Sequence, residues 1–122
     1  MGKHTAETAT TSTTALKEWW VDLATEEVEA LTAKAVEYGG LGRAIDLIDI
    51  GRDLLLSQGF TPEQVTDEWA SETGIYFYAR GKLSRWTSAV VRGDRVSDDT
   101  LHDLGVYVRM AQRVREVGGW PV

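Results

Sequence analysis

Residues 41–56 constrain the fold of this chain more than any other stretch. Leu41, Ile45, Leu47, Ile48, Ile50, Leu54, Leu55 and Leu56 cover most of the circumference of a helix, and Asp46, Asp49 and Asp53 recur at spacings of three and four. That spacing aligns the three carboxylates on one stripe. A helix that is apolar on nearly all sides is normally buried, so other elements must wrap around it. A buried acid stripe is costly unless something positive meets it, and a divalent cation or an Arg/Lys cluster would serve. The alternative is a partly solvated stripe, or one paired with Arg43 and Arg52.

The flanking sequence supplies further helices. Met1 to Thr14 is rich in Thr, Ala and Ser, and reads as a disordered tail over 1–14 ahead of a single helical domain over 15–122. Helical signals begin near Leu16. Thr25 can cap a helix whose first turn holds Glu26 and Glu27, with Val28, Leu31, Ala35 and Tyr38 on one face and Gly39, Gly40 and Gly42 as its stop. The acid-striped helix then spans about 42–57 and closes at Gly59. Thr61-Pro62-Glu63-Gln64 has the form of a helix start, and Thr73-Gly74 the form of a break. Ile75, Ala79, Leu83, Trp86 and Val90 continue at helical spacing to about Val91. Gly93-Asp94 reads as a turn. Ser97 caps a last helix with Leu101, Leu104, Val108, Ala111 and Arg115 on one side, stopped by Gly118-Gly119-Trp120-Pro121. The expected fold is an all-α compact bundle of four or five amphipathic helices with short loops.

Composition narrows the chemistry. The chain has 122 residues, 43% of them hydrophobic, and no cysteine. This excludes disulfides, thiolate metal sites and cysteine nucleophiles. With His4 and His102 the only histidines, any metal would be a hard, oxygen-ligated ion such as Mg²⁺ or Mn²⁺. A net charge of −6 argues against a general nucleic-acid coat. No apolar run approaches the length of a membrane span, and the N-terminus lacks the apolar core of a signal peptide. The expected location is the cytoplasm.

The charge is uneven. Arg80, Lys82, Arg85, Arg92 and Arg95 face only Asp94 over residues 80–95, while acids outnumber bases over 1–60. Lys82 and Arg85 lie one turn apart beside Trp86, with Tyr76 and Tyr78 just upstream. Such a group could hold a polyphosphate while Trp86 or Tyr78 stacks on a base; it could equally be a solvated basic face over an aromatic core. Gly81 within this helix costs about 1 kcal/mol relative to alanine, which suits a close packing point or room for a ligand. Asp99 and Asp103 form a second acidic pair on the last helix. Lys34 and Glu37 could face the same cleft. Trp19-Trp20 could anchor a protein partner or pack on the bundle. A phosphate-binding loop is absent, because Gly39-Gly40-Leu41-Gly42 lacks the Lys-Ser/Thr that should follow.

Three stretches, Lys34-Ala35-Val36-Glu37-Tyr38-Gly39, Gly81-Lys82-Leu83-Ser84-Arg85 and Asp98 through Tyr107, resemble the MazG-like all-α nucleotide pyrophosphohydrolases in a small phage-type form. The segment Tyr107-Val108-Arg109-Met110-Ala111-Gln112-Arg113, followed by Gly118-Gly119-Trp120-Pro121, also resembles small actinobacterial phage proteins. The family binds magnesium through paired acids on two adjacent helices, matched here by Glu26-x-x-Glu29 and Asp46-x-x-Asp49, with Asp46 standing where a glutamate is usual.

The resemblance implies a dimeric, Mg²⁺-dependent enzyme that splits an NTP or dNTP into a nucleoside monophosphate and pyrophosphate. Asp46, Asp49, Asp53 and Asp103 would be its catalytic carboxylates, joined by Asp99 around the metal. Lys34, Lys82 and Arg85 would neutralise the phosphates, and Tyr78 or Trp86 would stack on the base. The alternative expectation is a non-catalytic helical phage protein that binds a nucleotide or a host protein. A third is a structural protein that assembles through its helices.

Overall fold

The computed structural model describes residues 6–39 and 45–122. The described residues form four α-helices joined by short connections: α1 (Ala6–Gly39), α2 (Ile45–Ser57), α3 (Asp67–Arg92) and α4 (Asp98–Val117). The architecture is all-α, as the periodicity required. None of these helices is long and apolar enough to cross a membrane. The expected glycine stop at Gly40 and Gly42, the first residues of the acid-striped helix and the first five of the tail lie outside the described residues.

The helix count falls at the low end of the expected range because two expected breaks do not occur. The first is at Thr25. Its hydroxyl donates to the carbonyl of Val21, one turn back, at 2.9 Å, a bond that satisfies the side chain inside a continuing helix. Consequently α1 is a single helix that begins at Ala6, and residues 6–14 of the expected tail belong to its first turns. The second is at Gly74, which lies inside α3. A Cβ at Gly74 would run into the backbone of Leu47, and one at Gly51 into the carbonyl of Ala70. These two glycines are where α2 and α3 cross backbone against backbone. Gly74 is therefore a packing residue, and its helix-breaking tendency is outweighed by the contact it permits.

The start signal at 61–64 is displaced in a similar way. The Thr61 N–H donates to Gln64 Oε1 at 2.8 Å, half of the expected capping box, but residues 62–64 form only a turn. Thr66 caps α3, accepting from the Trp69 N–H at 3.1 Å. Phe60 packs edge-on against Trp69, 4.9 Å between ring centroids. Around this corner Leu55, Val65 and Ala70 form a small cluster.

The remaining boundaries are those the sequence marks. Gly93, with φ +72°, ends α3 in the left-handed conformation that glycine adopts without strain. Ser97 opens α4 by accepting from the Thr100 N–H.

The main core joins all four helices to the C-terminal segment. Leu47, Ile75, Val106, Tyr107, Met110, Val114 and Trp120 are buried, with Ala30, Leu31 and Ala35 of α1 packed against them. Fully burying an aliphatic side chain contributes roughly 1.5–3 kcal/mol, so this cluster dominates cohesion. Trp120 fixes the end of the chain to α1 by donating its Nε1–H to the Lys34 carbonyl at 3.4 Å.

The register of contacts gives the helix directions. Gly51 lies against Ala70 and Leu47 against Gly74, so α2 runs antiparallel to α3. Glu72 pairs with Arg115 and Lys82 with Asp103, so α3 and α4 are also antiparallel.

Candidate functional site

α2 crosses α3 at Ala70–Gly74, and the C-terminal half of α3 lies beyond that crossing. A groove of about 550 Å³ opens there, lined by α3 from Phe77 to Arg85 and by Tyr107 of α4. The size suits a nucleotide-sized ligand, since small-molecule sites span roughly 300–1,000 Å³.

Two rings and a set of cations shape this groove. Tyr78 and Tyr107 stack nearly parallel, with centroids 5.9 Å apart and planes inclined by 15°. Tyr107 is buried and fixed by the core, so it orients Tyr78. Lys34, half-buried on α1, places its Nζ 4.7 Å from the centre of the Tyr107 ring and donates to the Tyr107 hydroxyl at 3.5 Å. This is a cation–π arrangement that keeps a positive charge beside the aromatic pair. Lys82 forms an ion pair with Asp103 at 2.8 Å. Arg80 and Arg85 are exposed and form no ion pair among the described residues.

Asp103 belongs to this cationic surround. Partial burial acts to raise its carboxyl pKa. The Lys82 hydrogen bond, with the nearby charges of Lys82, Lys34 and His102, outweighs burial and holds the group below the ordinary aspartate value. Asp103 is therefore ionised at neutral pH and neutralises one of the surrounding cations. Lys82 and Lys34 act on this carboxylate, and Arg80 and Arg85 line the same groove as Lys82, so a locally basic site sits on a chain of net charge −6.

The other expected site residues are spread over the surface. Asp46, Asp49 and Asp53 are all exposed on α2. The stripe is solvated and not buried, because α2 lies on the outside of the bundle and turns only Leu47, Gly51 and Leu55 fully inward. Arg52 pairs with Asp67 and not with the stripe. Asp99 is exposed in the first turn of α4, where its charge complements the positive helix end. Glu26 and Glu29 are exposed on α1.

Among the described residues no three His, Asp or Glu side chains group so as to hold a metal ion. Trp86, expected beside Lys82, lines a different groove with Asp98 and Leu101.

The structure thus unites Lys34, Tyr78, Lys82, Arg85 and Asp103 of the expected set and adds Phe77, Arg80 and Tyr107. Tyr107 follows Asp103 by one helical turn, so the residue that pairs with Lys82 and the one that carries Tyr78 share a face of α4. That spacing was the available signal. No protein-family model, no curated protein and no solved structure matches the chain.

Proposed function

We propose that this protein is a nucleotide-binding module that captures its ligand, without turnover, in the groove between α3 and α4. One observation supports the reading: Arg80, Lys82, Arg85 and the stacked tyrosine pair line a single groove of nucleotide size, with Lys34 behind it over the Tyr107 ring, on a chain of net charge −6. Arg80 and Arg85 offer guanidinium forks to phosphate oxygens. Lys82 can exchange its bond to Asp103 for one to a phosphate. Tyr78, backed by Tyr107, presents a ring for stacking with a base, an interaction worth about 1–3 kcal/mol. Capture is favoured over hydrolysis because the groove's own groups are cations and rings, Asp103 beside it is engaged by Lys82, and Asp46, Asp49, Asp53 and Asp99 lie apart on α2 and at the start of α4.

Calorimetric titration with a panel of NTPs and dNTPs, with and without Mg²⁺, tests this reading. Binding is expected without a requirement for the metal. Arg85→Glu, at an exposed position, should weaken it at least tenfold, because a hydrogen bond to a charged group contributes about 1.5–3 kcal/mol. Absence of binding at millimolar nucleotide would refute the proposal. Pyrophosphate release measured on the same samples separates capture from the pyrophosphohydrolase activity implied by the MazG-like resemblance. Turnover that is lost in Asp46→Ala would establish the enzyme instead.

A further inference from the structure

The side of α3 away from the basic groove, with the adjoining face of α4, carries a second feature. On α3, Tyr76, Ala79, Leu83, Trp86 and Val90 follow one another at alternating spacings of three and four. On α4, Leu101, Leu104, Val108 and Ala111 do the same. Two heptad-type seams thus lie side by side on antiparallel helices, the pattern by which a helical surface receives another helix. Three grooves cross this face, and they share residues. Val108 lines both the groove with Tyr76 and the one with Trp20 of α1, and Leu101 lines both that groove and the one with Trp86. The surface is therefore continuous from α1 across α4 to α3.

The first half of α1 is the complementary feature. At 34 residues, α1 is about 51 Å long, against about 30 Å for the 20 residues of α4 beside it. The two helices run parallel, meeting from Trp20, Leu23 and Glu27 against Leu101 and Gly105 onward. About 20 Å of α1 before Trp20 therefore extends past the start of α4. Residues 11–22 are all exposed.

Leu16 and Trp20 lie on the same helical face as Leu23, Ala30 and Leu31, which pack inward, and Trp19 borders it. The apolar stripe thus outlasts the surface that covers it. The extension is rich in threonine, and Thr8, Thr10, Thr11, Thr13 and Thr14 are poor helix formers. A segment of this kind depends on packing to remain helical.

We infer that the first half of α1 from one copy of the chain docks on the α3–α4 face of a second copy, so that two copies exchange arms about a two-fold axis. Leu16, Trp19 and Trp20 of the arm, and Tyr76, Leu83, Trp86, Leu101 and Val108 of the face, are each between 41% and 56% exposed. Together they leave on the order of 800 Å² uncovered per copy, about what each partner contributes to a standard stable interface. An isologous exchange uses arm and face twice and closes at two copies. The nucleotide groove lies on another side of α3, so either proposal can fail without the other.

Sedimentation velocity of the full chain should show a dimer. Leu16→Asp on the arm and Leu83→Asp on the face, both at exposed positions, should each give a folded monomer by circular dichroism. An equimolar mixture of the two variants should recover a 1:1 complex, because one intact arm and one intact face remain. The chain has no cysteine, so Leu16→Cys and Val108→Cys chains, mixed and oxidised, should form a disulfide-linked heterodimer. A monomeric wild-type chain would overturn the inference and leave the face to a different protein. A dimer lost in Leu83→Asp but kept in Leu16→Asp would overturn it in favour of faces that pair directly. Absence of the cross-link in a dimeric mixture would also overturn it.

Discussion

Alanine substitution at Gly51, Gly74 and Gly81 should move stability in opposite directions, although all three glycines lie within helices. In an exposed helix, alanine is favoured over glycine by about 1 kcal/mol. Gly81 has no atom within 4 Å of the position a Cβ would take, so Gly81→Ala should stabilise by about 0.5–1 kcal/mol. At Gly51 the same propensity gain meets the Ala70 carbonyl, and at Gly74 the Leu47 backbone. Neither obstacle is the end of a flexible side chain, so the helices themselves must separate. Separation loosens Leu47, Leu55, Ala70 and Ile75, all buried near this crossing. Overpacking of a core costs typically 1–3 kcal/mol, and backbone obstacles belong at the upper end.

We therefore expect Gly51→Ala and Gly74→Ala to lose about 2–3 kcal/mol each. For a chain of this size, that corresponds to roughly 8–12 °C in Tm. The double variant should cost less than the sum, because the first Cβ has already opened the crossing. Urea unfolding followed by circular dichroism measures all four differences. Stability at or above wild type in Gly51→Ala or Gly74→Ala would refute the backbone-contact reading of α2 on α3.

Asp103→Asn tests the Lys82 pair in two ways. Stability at pH 7 should fall by about 1 kcal/mol or less, as for a partly exposed ion pair, while nucleotide affinity should rise several-fold because Lys82 loses its internal counter-ion. The folded-state carboxyl of Asp103 lies below its ordinary value. Its contribution is therefore fully present above the unfolded aspartate value of about 3.9 and lost as pH falls through the lower folded value; acid titration of the Asn variant should lack that loss. Thr66→Ala removes the acceptor for the Trp69 N–H and should cost about 1 kcal/mol in chemical unfolding.

The candidate site was only partly legible in the sequence. Lys82 and Arg85 stood out as cations one turn apart, and Tyr78 lies on the same side of the helix. Lys34 belongs to a different helix, and only the parallel packing of α1 along α4 brings it over Tyr107. The aspartate stripe misled for the converse reason. Its spacing is that of a helix face, but periodicity does not say whether a neighbour covers that face, and here none of the described residues does. Trp86 shows the same limit, because adjacency in sequence to Arg85 set it on another side of α3.

The sequence by itself determined the local structure: helices from the spacing of apolar residues, the turn at Gly93, and the caps at Ser97 and Gly118. These depend on contacts within one or two turns, which residue type and spacing control directly. Only the tertiary structure decided that Thr25 and Gly74 continue their helices, that the α2 carboxylates face water and that the cations of two helices meet at one pair of rings. Each of those outcomes depends on which surfaces approach each other. At Gly51 and Gly74, the packing gained when two backbones touch exceeds the local preference of glycine to end a helix.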